Sequence, residues 1–339
     1  MSPIQPALDA LCAEVAELTG RLGRRVEPQA LGILDRTGHL ALGPPGRVSP
    51  NGACRLVRAA DGWIAVNLAR DEDRDLVPAW LGCDFGGDPW NLVETHAGRH
   101  ACAALVEGAT LLGLPAAAVA ERIADGPQAP LVRMAPGGPR RDPLTVVDLS
   151  ALWAGPMCGA ILAAMGVAVT KIESARRPDP TRTATPGFFE ALNGAKAHLA
   201  LDLASAEGQR RLTDRIVAAD VLITSARPRA LPSLGLDPAA LFAANPGLVW
   251  VAVTGHGWTG AAAQRVAFGD DAAAAGGLVR WEGDEPRFLG DALADPVTGL
   301  AAAIGALRAL DQYGGVLADV SLAGSAAGAA SLCHLRRAA

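Results

Sequence analysis

The chain has 339 residues, 50% hydrophobic and 19% charged, which is long enough for about two domains with a large core and excludes a disordered or fibrous protein. A single tyrosine, 4% aromatics and a net charge of -5 argue against base-stacking platforms and a phosphate-backbone partner, so no nucleic-acid role is expected.

The opening MSPIQPALDALCAEVAEL lacks the basic start and continuous apolar run of a signal peptide, and Arg, Asp or Gly interrupts every later apolar run. The expectation is a cytoplasmic protein without a membrane partner. Six scattered cysteines form no CxxC pair, and six histidines show no HExxH spacing, so reduced thiols and no metal site are expected.

In chain order, Leu8, Leu11, Val15 and Leu18 predict a helix over 5–22. ACRLVRAADGWIAVNLA then predicts a hairpin around its AADGW break, and residues 72–81 and 91–125 read as Ala/Leu-rich helices. Together these predict a small α+β domain over 1–134. APGGPRRD, residues 135–142, reads as a linker.

From 143 to 339 the rhythm changes. TVVDL (145–149), VAVTKIE (167–173), HLALDL (198–203), DVLIT (220–224), LVWVAVT (248–254) and VLADVSL (316–322) are strand-length apolar runs. Helical segments at 156–165, 206–218, 237–244 and 296–310 alternate with most of them. This pattern predicts an α/β fold, a doubly wound, mostly parallel sheet whose ligand sits at the carboxyl ends of the strands.

Three features carry possible chemistry. Asp295 followed by Pro296 is a strong helix start, which serves as a cap or as an ionised carboxylate presented at a loop edge for nucleophilic work. Gly155 and Pro156 open a helix after the first large-domain strand, offering free N–H groups to a phosphate or carbonyl. Gly255, Gly257 and Gly260 in GHGWTG fit a dinucleotide pattern. The helix and later acidic residue that such a pattern needs are missing, which leaves a glycine turn.

Several motifs then line up in one order: VVDLSALWAGPMC, KIESARRPDPTR with Asp179 and Arg182, LNGAKAHLALDLASAEGQ with Lys196 and Asp202, ADVLITSARPRALPSLGLD, NPGLVWVAVTGHGWTG and GDALADPVTG. From Pro143 to about Ala330 the chain resembles the class III CoA-transferases, the family of formyl-CoA transferase, carnitine-CoA transferase and α-methylacyl-CoA racemase. RAADGWIAVNLARDED is similar to the family's small domain, which in the family follows the large one, so the resemblance implies a permuted order with a Rossmann-like large domain second.

What the resemblance implies is an acyl-CoA:carboxylate CoA-transferase with Asp295 as its catalytic carboxylate, working through an aspartyl-acyl anhydride and an aspartyl-CoA thioester. It implies coenzyme A as substrate rather than as a permanent cofactor, a carboxylic acid as acceptor, and an interlocked homodimer or a second family member as partner. Leu152, Trp153, Ala154, Arg182, Lys196, Leu201, Ser225, Ala226, Arg227, Leu234 and Arg265 would meet CoA. Ser225, Ala226 and Ser233 stand where similar transferases carry Asn, Phe and Arg, which motivates a second reading as a non-catalytic or partner-dependent relative. RVAFGDDAAAAGG carries no histidine to act as partner base, which disfavours the racemase branch. A nucleotide-dependent oxidoreductase rests on GHGWTG alone.

Overall fold

Apolar runs that read as strands divide alternate side chains between two faces of one large sheet. The computed structural model describes residues 3–84, 86–124 and 129–335. Residues 1–2, residue 125 of the stretch read as helical, and 336–339 of the expected large domain lie outside the described residues.

Helix α1 (Gln5–Leu22) buries Leu11, Val15 and Leu18 at the expected spacing, with proline in its first turn where no intrahelical donor is lost. Strands β1 (Cys54–Arg58) and β2 (Trp63–Asn67) form the expected hairpin, and helices α2 (Asp71–Asp75), α3 (Val77–Leu81), α4 (Pro89–His96) and α5 (Cys102–Leu112) follow. Val57, Ile64, Val66, Trp80, Leu81 and Leu105 share the core of this unit. The helical expectation over 91–125 fails beyond Leu112. There Gly113 turns left-handed at φ 73°, and β3 (Ala116–Ala118) pairs antiparallel with Ile64–Val66 of β2. Sheet pairing overrides alanine's helix preference at this point.

The second half contains β4 (Leu131–Arg133), β5 (Thr145–Asp148), α6 (Ala154–Ala164), β6 (Ala168–Ser174), α7 (Thr181–Ala184), α8 (Pro186–Asn193), β7 (Ala197–Leu201), α9 (Ala206–Val217), β8 (Val221–Thr224), α10 (Pro238–Ala244) and β9 (Val249–Thr254). It continues through α11 (Gly269–Ala275), the hairpin of β10 (Val279–Glu282) and β11 (Glu285–Phe288), α12 (Ala294–Asp311), β12 (Val316–Ser321) and α13 (Leu322–Leu332).

Among the described residues the large sheet has seven strands in the order β4-β12-β9-β8-β5-β6-β7, all parallel except β4. The six expected strand runs are therefore the parallel core, and the strand order reverses between β5 and β8. Such a reversal opens a crevice at the strands' carboxyl ends. One face, with Val146, Val251 and Val320, packs on α6, α12 and α1. The other, with Val147, Leu222 and Trp250, packs on α9 and α10.

Two pieces of the 1–134 stretch complete this large layer. Helix α1 lies along α12, and β4 extends the sheet at β12. The small sheet leans on α11, where Ala274 joins Leu56, Trp63 and Ala65 in a shared core. Among the described residues no helix is long and apolar enough to cross a membrane.

Candidate active site

The site is built where α12 begins. Its first turn does not use Asp295 as the cap expected from the Asp–Pro pair. The helix starts one residue earlier, and no side chain caps it. The Asp295 N–H instead donates to Ala292 O at 2.9 Å, and the carboxylate faces the backbone N–H of Ala154, which works against its proton uptake. Ala154 opens α6, so one helix's unsatisfied first-turn donor points at another helix's carboxylate.

Asp295 does not stand alone. Asp270 and Asp271 at the start of α11 are buried, and Asp291 precedes α12. Asp270 accepts from Ala292 N at 2.7 Å and from Asn51 Nδ2 at 2.7 Å. That same Asn51 amide donates to Asp291 Oδ1 at 2.7 Å. Arg36 meets Asp291 with two parallel bonds of 2.8 Å each. Asp271 Oδ1 accepts from Phe268 N at 2.9 Å and from Asn67 Nδ2 at 3.2 Å, while its Oδ2 has no partner.

This crowding changes the chemistry that the sequence suggested. Burial pushes the Asp295 carboxyl up to about 7, with Arg36 opposing the rise and Asp270 and Asp291 adding to it. Burial likewise lifts Asp270 to about 6 and Asp271 to about 8. Asp295 is therefore not simply held ionised by its helix terminus. Near neutral pH it exists in both protonation states, as a group tuned by its surroundings does.

The loops at the strand-order reversal carry part of the expected CoA set. Leu152, Trp153 and Ala154 follow β5, and Ser225, Ala226 and Arg227 follow β8, with Ala151 N donating to Ser225 Oγ at 3.0 Å between the two loops. Leu152 adopts φ 70°, a strained conformation for a non-glycine residue, held by its N–H bond to Asp179 Oδ2 at 3.2 Å. Asp179 is fixed in turn by the buried Lys171 ammonium at 3.1 Å. Arg227 donates to Gln264 O at 3.4 Å, and Leu234 and Ala226 each pack partly buried against the core of the face that holds Trp250.

Other members of that set lie elsewhere. Lys196 is inside the fold, its Nζ bonded at 2.8 Å to each of Asp148 Oδ2, Pro156 O and Asn193 Oδ1, because a buried ammonium needs every proton matched. Leu201, the last residue of β7, is 2% exposed and points into the core. Arg182 pairs with Glu173 at 2.5 Å and stacks 4.2 Å over Phe189. Arg265 pairs with Glu121 at 2.6 Å and donates to Ala116 O at 3.0 Å. The GHGWTG loop is a turn, with Gly257 N on Thr254 Oγ1 at 3.0 Å and Trp258 N on Asp319.

Arg36, Asn51, Asp270 and Asp291 were not expected at the site. Asp270 and Asp271 carried a weak signal as adjacent acids inside an apolar stretch. Arg36 and Asn51 carried none, since each lies more than 200 positions from its carboxylate partner. Among the described residues no cluster of three or more His, Cys, Asp or Glu groups is arranged to hold a metal ion.

Known proteins similar to this chain identify its family. The family model of CoA-transferase family III matches residues 142–334. The chain is 33% identical over 181 residues to the succinyl-CoA–D-citramalate CoA-transferase of Chloroflexus aurantiacus, covering 50% of this chain and 45% of that one. It is 33% identical over 196 residues to a succinyl-CoA–L-malate CoA-transferase alpha subunit of the same organism, covering 53% and 46%. The chain thus spans less than half the length of these two relatives. A crystal structure of a CAIB/BAIF family protein from Brucella suis superposes with a TM-score of 0.51 at 31% identity, covering 56% of this chain and 54% of that one. With the family match extending over more than half of its residues, the chain belongs to CoA-transferase family III.

Proposed function

We propose that the protein is an acyl-CoA:carboxylate CoA-transferase with Asp295 as nucleophile. The observation that carries this reading is a carboxylate in the first turn of α12 that faces the Ala154 N–H at the opening of α6 and shares its surroundings with Arg36, Asp270 and Asp291. The Asp295 carboxylate attacks the thioester carbonyl, forming an aspartyl-acyl anhydride and releasing CoA thiolate. The thiolate attacks the aspartyl carbon, giving an aspartyl-CoA thioester and the free first acid. An acceptor carboxylate then attacks that thioester to form a second anhydride, and the thiolate returns to the acceptor's acyl carbon, regenerating Asp295. Ala154 N–H is placed to steady the oxyanions that arise at Asp295.

In this reading Leu152, Trp153, Ala154, Ser225, Ala226, Arg227 and Leu234 line the CoA path, and CoA is a substrate rather than a resident cofactor. The permuted order goes with it, with a small unit drawn from the 1–134 stretch ahead of a large one from 143 to which α1 and β4 also contribute, as do cytoplasmic placement and an interlocked homodimer. Peptide mass spectrometry after incubation with succinyl-CoA tests the reading. An adduct at Asp295 is expected, and Asp295→Asn should lose the adduct and at least on the order of 10³-fold in transfer rate. Full turnover by Asp295→Asn would end it.

The partner-dependent alternative is favoured by one observation: Lys196, Arg182 and Arg265 already have carboxylate partners within the chain. Its mark is transfer that appears only when a second member of the family is added, as with a subunit pair. Transfer by the pure protein would remove it.

A further inference from the structure

Residues 33–51 lie well ahead of the family-matched stretch, yet they close around the start of α12. Ile33 O accepts from Trp153 Nε1 at 2.9 Å, and the Arg36 guanidinium lies 5.1 Å over the Trp153 ring. Trp153 immediately precedes Ala154, whose N–H meets Asp295. The same guanidinium forks onto Asp291, and Asn51 ties Asp291 to Asp270 through one amide nitrogen. Asn51 is itself fixed, its Oδ1 accepting from Ser49 Oγ at 3.0 Å and from Ala53 N at 2.8 Å.

We propose that Arg36 is a positioning residue for Asp295: it keeps the nucleophile's carboxylate charged within a pocket shared with Asp270 and Asp291, and Asn51 holds it there through Asp291. The groups facing Asp295 are Arg36 from the N-terminal segment, Asp270 from α11, Asp291 from the turn before α12 and the Ala154 N–H from α6. Three carboxylates face one guanidinium. Removing that guanidinium leaves Asp295 beside two acids, where proton uptake relieves the repulsion. The consequence for turnover rests on the CoA-transfer reading. The claim about the Asp295 proton does not.

An infrared titration of the full-length protein, taken as a difference against Asp295→Asn in each background, reads that proton without any turnover. Arg36→Gln is expected to raise the Asp295 midpoint by about one to three pH units, the usual influence of a guanidinium on a neighbouring carboxylate. Arg36→Lys is expected to move it in the same direction by less, since charge remains while the fork and the ring stacking are lost. The acid limb of the transfer rate should follow the midpoint with KM for succinyl-CoA unchanged, a split that a purely structural role would not produce. If Arg36→Gln gives no cooperative melt, Arg36→Lys takes its place, with an expected upward shift. A midpoint that stays at the wild-type position in the folded variants overturns the proposal. Failure of the CoA-transfer reading looks different: no Asp295 adduct in the wild type, with the infrared midpoint still moving with Arg36.

Discussion

At Gly269 the backbone of α11 passes so close to the site that a Cβ built there would lie 2.1 Å from Asp295 Oδ2 and 2.7 Å from both the Cβ and the carbonyl oxygen of Ala292. Ala292 O is the acceptor that sets the Asp295 backbone, so the clash cannot be relieved by side-chain rotation alone. Gly269→Ala is expected to cost about 1–3 kcal/mol of stability, the usual range for overpacking, and, on the proposed reading, to reduce Asp295 adduct yield. Urea midpoints and adduct yield measured together check this, and wild-type yield in the variant would refute the close approach. The sequence shows Asp295 because an Asp–Pro pair at a helix start has a local meaning. Gly269 reads there as one glycine among 39, and Arg36 pairs with a carboxylate 255 positions away, a distance that no periodicity reports.

Helix α12 is buried along nearly its whole length, and its alanines and glycines set how near α6 and the sheet can come. At Gly299 an added Cβ would lie 2.7 Å from Met157 Sδ and 3.0 Å from Ala154 O, so it pushes against the turn that aims the Ala154 N–H. At Gly305 the nearest atoms are Ala129 Cβ at 3.0 Å and Ala318 Cβ at 3.4 Å, a looser fit. Gly299→Ala is therefore expected to destabilise by about 1–3 kcal/mol, and Gly305→Ala by less, because alanine's better helix propensity offsets a mild squeeze. Equal urea midpoints for the two variants would contradict that order. The inner strands β8 and β9 were legible because strands covered on both faces read as continuous apolar runs. Strands β3 and β4 were not, since three residues are too few for a pattern and the alanines of β3 favour helix until β2 supplies a partner.

Taken over the whole molecule, three buried carboxylates with raised pKa values make stability fall as pH rises. Asp270, Asp295 and Asp271 hold their protons up to about 6, 7 and 8, whereas an unfolded chain releases them near pH 4. Between those limits the folded state binds more protons than the unfolded one, so each unit of pH removes about 1.4 kcal/mol for every group still protonated. Asp148 and His256 work in the opposite sense. Despite burial, Lys196 and Lys171 hold Asp148 below its ordinary value, so its contribution is lost only in acid, outside this window, whereas burial holds the His256 imidazole down to about 3, so that it opposes the fall up to about pH 6.5, where an unfolded imidazole loses its proton. Urea midpoints should therefore drop from pH 5 to pH 8.5 by an amount on the order of a few kcal/mol, lessened by the coupling among the three. Asp271→Asn removes the group with the highest of these values while keeping an oxygen for Phe268 N and Asn67 Nδ2. The variant should gain on the wild type steadily as pH rises, and parallel stability curves for the two proteins would show that Asp271 holds no such proton.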